Sequence, residues 1–84
     1  MKNKVLIELI VPEIEEVYDM YIPVNKKIGS IINLILKSVF ELSDGIYQSY
    51  SNVFLYNSDT GEKYNINQIV KETNIRNGSK IVLM

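Results

Sequence analysis

The sequence predicts an α+β domain in which a mixed, five-stranded sheet packs against one long helix, with a short helical turn besides. Three features carry that expectation. The chain opens on two β-branched, alternating runs, its middle repeats apolar residues with helical period, and its last third is strand-like segments set off by Gly and Asn turns.

The first run, "KVLIELIV" from Lys4 to Val11, is apolar and β-branched; "PEIEE" supplies a polar turn, and "VYDMYIPV" from Val17 to Val24 alternates again, so the pair reads as a hairpin. Pro23 has no amide to give to a ladder, which makes the second strand a sheet edge with Pro23 near its end. Ile28, Ile31, Ile32, Ile35, Val39 and Leu42 then recur on one face of a helix from about Lys27 to Ser43, and Gly45 supplies the left-handed stop just beyond it. After the loop "IYQSYSN", the run "VFLYN" is a strand, "SDTGE" a turn and "KYNI" a short return strand. One helical turn in "NQIVKET" and a Gly turn in "RNGSK" lead to the last strand, "KIVLM". A helix following the first hairpin acts as a right-handed crossover, which gives a mixed sheet covered on one face.

Composition narrows the function. At 84 residues, 46% of them apolar and 23% charged, residues 1–84 make one small domain that commits most of its apolar side chains to a single core. With no His and no Cys, catalysis would fall to carboxylate pairs, Lys, Ser or Tyr, and no such group is set around an evident pocket, so no catalytic residue, cofactor or metal site is expected. Asp59 and Glu62 in "NSDTGE" lack calcium-loop spacing and are taken as a turn. A net charge of −1 with no basic stripe argues against nucleic acid. The opening apolar run is interrupted by Glu8 and is too short to be a leader or to insert in a membrane, so a soluble, cytoplasmic protein is expected.

The whole order, together with "IPVNKKIG" before the helix, "LYNSDTGEKY" and the ending "TNIRNGSKIVLM", resembles the ubiquitin-like β-grasp, and most of all the YukD/EsaB family of bacterial type VII secretion accessory proteins. The resemblance implies a sheet ordered 2-1-5-3-4, with first and last strands parallel at its centre. Asn74 and Ile75 stand where many relatives carry Gly-Ile, and Asn tolerates the same left-handed conformation. It also implies a non-catalytic cytoplasmic component that supports or regulates the secretion machine by docking on the cytoplasmic part of a membrane subunit. Ubiquitin and the sulfur carriers continue past the last strand into a Gly-Gly tail, whereas Gly29, Gly45, Gly61 and Gly78 all fall at helix or turn positions and the chain stops at Met84. Conjugation is therefore not expected; the alternative is a modifier or sulfur carrier whose tail is absent from this chain.

Non-covalent binding then points to the sheet face away from the helix. Val5, Ile7 and Leu9 suit the core, together with Tyr18, Met20 and Ile22 and with Leu55, Ile69, Ile75, Ile81 and Leu83. The opposite parity should be polar, yet Leu6, Ile10, Phe54, Tyr56, Val82 and Met84 form an apolar set there. It serves a foreign protein or a homodimer equally well, unless Met1, the loop "IYQSYSN" or Lys stems cover it. A secondary surface is the helix shoulder of Leu36 and Phe40, which either lies under the loop Ile46 to Ser51 or forms a partner groove. Lys26 and Lys27 sit where a helix N-terminus disfavours cations; they are solvated surface lysines or a contact for an acidic partner.

Overall fold

The computed structural model describes residues 3–48 and 52–84. Strand β1 (Lys4–Val11) is followed by a 3-10 turn at Pro12–Ile14, β2 (Glu16–Pro23), helix α1 (Ile28–Leu42), β3 (Leu55–Asn57), a second 3-10 turn at Val70–Glu72 and β4 (Lys80–Leu83). Among the described residues the sheet has four strands in the order β2-β1-β4-β3, with β1 and β4 parallel and the other neighbours antiparallel. The five-stranded 2-1-5-3-4 sheet is thus corrected. "KYNI" forms no strand: it meets β3 at a single bridge, Tyr56 to Lys63, and then turns away at Asn65, whose Oδ1 accepts the Asn67 amide at 2.9 Å, while the Ile66 carbonyl serves the Gly29 amide at the helix start instead of a ladder.

The first hairpin forms as its alternation dictates, with eight residue pairs from Lys4–Pro23 to Val11–Glu16, and its tip closes where the Glu15 amide donates to the Pro12 carbonyl at 3.1 Å. β2 is an edge strand ending at Pro23. Helix α1 has no side-chain cap. Its first amides are satisfied instead by the loop ahead of the second 3-10 turn, Ile28 donating to the Gln68 carbonyl at 2.8 Å and Gly29 to the Ile66 carbonyl at 3.0 Å. That removes the usual need for Ser or Asp before the helix and leaves Lys26 and Lys27 exposed at its start. Gly29 permits the close approach, since a Cβ there would lie 3.3 Å from the Ile66 oxygen. At the other end Gly45, with φ 78°, donates to the Phe40 carbonyl at 2.8 Å and stops the helix.

One buried cluster joins the two layers. Ile28, Ile31, Ile32, Ile35 and Val39 of α1 meet Ile7, Leu9 and Val11 of β1, with Ile22, Leu55, Ile81 and Leu83 from the other strands. Val5, Tyr18 and Met20 pack against it half-buried. Ile69, expected in the core, is only half-buried; its neighbour Val70, fully enclosed, takes the place, and Tyr47 and Tyr64 are also enclosed. Asn74 does not take the left-handed conformation: among the described residues, the non-glycine positions with positive φ are Glu15 and Asp44. Asn74 contributes a side chain instead, its Oδ1 accepting the Tyr64 hydroxyl at 2.7 Å, while Asn57 Nδ2 donates to that hydroxyl at 3.2 Å. Burial raises the Tyr64 phenol above its ordinary pKa of 10.0, so it keeps donating to Asn74 to a higher pH than an exposed tyrosine would.

Candidate functional site

Strand register decides which side chains share the face away from α1. Pairing places Val17 of β2, Ile10 of β1, Val82 of β4 and Tyr56 of β3 side by side in one row across all four strands. A second row, two residues along, reads Asp19, Glu8, Lys80. Tyr21 and Leu6 form a third. Beyond the first row, Phe54 and Met84 exchange backbone hydrogen bonds of 2.9 and 3.2 Å, which carries the β3–β4 pairing one step past the strand ends.

The face is therefore two apolar bands separated by a charged one. Leu6, Ile10, Phe54, Tyr56 and Val82 are half-buried, and Met84 is 59% exposed. The structure brings Leu6, Ile10, Tyr56, Val82 and Met84 onto one face and sets Phe54 at its edge, where it also lines a groove beside α1. It adds Val17 and Tyr21, each more than half exposed, which the sequence pattern did not single out because an edge strand's outer parity is mixed in character. Lys63 lies over the Phe54 ring, its Nζ 4.3 Å from the centroid, so a Lys stem covers that one corner. Cover by Met1 lies outside the described residues.

The helix shoulder divides. Leu36 is half-buried against the core and lines a groove of 340 Å³ with Ile32, Val53 and Phe54, between α1 and the start of β3. Phe40 stays 47% exposed, with Gly45 beneath it. Of the loop Ile46 to Ser51, Tyr47 enters the core and Ile46 points outward, 76% exposed; Ser49, Tyr50 and Ser51 lie outside the described residues. In "NSDTGE", the Asn57 side chain accepts the amides of Asp59 and Thr60 at 2.8 and 3.1 Å, the geometry of a side-chain-closed turn. No described helix is long and apolar enough to cross a membrane.

No family model and no curated protein sequence matches the chain. Solved structures do. The ubiquitin-like domain of the Mycobacterium tuberculosis type VII secretion system protein EccD1 is similar with a TM-score of 0.75 at 10% identity, over 95% of this chain and 96% of that one. A structure described as molecular mimicry of SUMO in DNA repair gives 0.73 at 16% identity, over 98% of this chain and 91% of that one. A chain of the MycP5-free ESX-5 inner membrane complex gives 0.72 at 11% identity over 98% of this chain, which spans only 21% of that much longer one. At such identities the likeness concerns architecture, and it establishes that this chain has the ubiquitin-like α+β fold, one helix against a mixed sheet.

Proposed function

We propose that the chain is a non-catalytic ubiquitin-like module, akin to YukD/EsaB, that supports or regulates a bacterial type VII secretion machine from the cytoplasm by docking on the cytoplasmic part of a membrane component, without being conjugated itself. The observation that carries the docking is the row of Val17, Ile10, Val82 and Tyr56 on the open sheet face. Apolar residues aligned across four strands, outside the core, form a patch of the kind that marks an interaction site. The choice of machine draws on the likeness to the ubiquitin-like domain of the type VII secretion system protein EccD1.

The test is a titration of the purified chain with the purified cytoplasmic domains of the same organism's type VII membrane components. Replacing Val82 and Met84 together by Ser weakens capture by about tenfold or more, the scale of a central interface side chain, while the unfolding free energy changes by less than about 1 kcal/mol. Unchanged capture at unchanged stability rules this face out as the interface. An immunoblot of native cells showing a ladder of higher-mass species overturns the absence of conjugation.

A further inference from the structure

Charge is distributed unevenly across the outer face. In the charged row Asp19 and Glu8 occupy β2 and β1, and Lys80 occupies β4, so the row changes sign between the two central strands. The apolar row beside it is balanced about the same line, with Ile10 and Val17 on one side and Val82 and Tyr56 on the other. We propose that this face is self-complementary and binds a second copy of the chain, about a two-fold axis that lies in the interface, parallel to β1 and β4 and midway between them.

That operation exchanges the left and right halves of the face while keeping each row at its own level. Glu8 of each copy meets Lys80 of the other, giving two symmetric ion pairs; Ile10 meets Val82 and Val17 meets Tyr56, each contact occurring twice. The next levels agree. Register continues Leu6 opposite Gly78, where a side chain faces a residue that has none and has open space above it. At the far end, Met84 and Phe54 are level with the tip of the first hairpin, so exposed Glu13 and Glu15 approach the other copy's Lys63, which lies over Phe54. A two-fold axis perpendicular to the strands and centred on the charged row fails this test, since it sets Glu8 against Glu8 and Lys80 against Lys80. A face of four strands, about 20 Å across, sits at the small end of specific interfaces, so the association is weak and reversible.

The inference rests on the outer face being the docking surface, as proposed above, and adds a regulation to it: the pair hides the row that a foreign partner needs, so self-association and docking compete. Sedimentation equilibrium of the full chain from about 10 μM to about 1 mM covers the range in which such an interface forms. The wild-type chain dimerises within it. Glu8→Lys and Lys80→Glu each weaken dimerisation by about tenfold or more, because like charges then face each other twice, and an equimolar mixture of the two variants recovers a heterodimer of wild-type strength. Thermal unfolding of each variant confirms that it is folded; should Glu8→Lys not fold, Lys80→Glu, at an exposed position, and the weakening of wild-type association by salt remain as readouts. A wild-type chain that stays monomeric, a dimer indifferent to both reversals and to salt, or folded variants whose mixture stays monomeric each overturns the proposal. The two ideas fail separately: a monomeric chain whose partner capture is lost on replacing Val82 and Met84 sinks only the self-association, and a charge-sensitive dimer whose partner capture ignores those replacements sinks only the docking.

Discussion

Ile35→Ala lowers the free energy of unfolding by about 2–5 kcal/mol, measured by chemical denaturation. Ile35 lies at the middle of α1 and is 1% exposed, in the cluster that holds helix and sheet together. Removing its branched end leaves a space inside a cluster whose other members are held on α1 and on paired strands, so the gap closes poorly. A domain of 84 residues has about 4–13 kcal/mol to lose, so the loss takes a large fraction of the total. A change under about 1 kcal/mol would mean that the helix is not clamped to the sheet as described.

Leu83→Ser and Met84→Ser, one residue apart, part company. Leu83 is 1% exposed on β4, and Ser there loses buried methyl groups and puts a hydroxyl into an apolar cluster, costing about 3–5 kcal/mol. Met84, 59% exposed on the other face, costs less than about 0.5 kcal/mol. Equal costs at the two positions would show that the end of the chain is out of register by one, which would reverse the outer face as well.

Much of the fold was legible in the residues. The alternation of "KVLIELIV" assigns Ile7 and Leu9 to the core and Leu6 and Ile10 to the other face because strand side chains have a period of two, and the apolar spacing of α1 is equally direct. "KYNI" misled because its alternation is real but short-lived: Tyr64 faces inward and its amide donates to the Leu55 carbonyl, yet the chain turns at Asn65 and the Ile66 carbonyl goes to Gly29, a distant partner that no local pattern reveals. Ile69 and Val70 are adjacent β-branched residues in a single turn, and nothing local says which faces inward; the Ile69 amide donates to Glu72 Oε1 at 3.2 Å, and Val70 is the one that packs. Tyr47 stands in a polar stretch that reads as surface. The members of the outer face followed from parity, but their rows did not, because parallel pairing of β1 with β4 joins residues more than seventy positions apart and its register is set by packing. The charge division between Glu8 and Lys80 is visible only once that register is known.

The proposal that the open sheet face is the docking surface is tested most directly by a chemical-shift footprint: the isotope-labelled chain, mixed with the cytoplasmic domain of the membrane component proposed as its partner, at a concentration where the free chain is monomeric. Docking on the sheet perturbs Ile10, Tyr56, Val82 and Met84 and leaves Leu34 and Phe40, on the helix, unmoved. Shifts concentrated on Leu34, Leu36 and Phe40, with the sheet row unchanged, would contradict it.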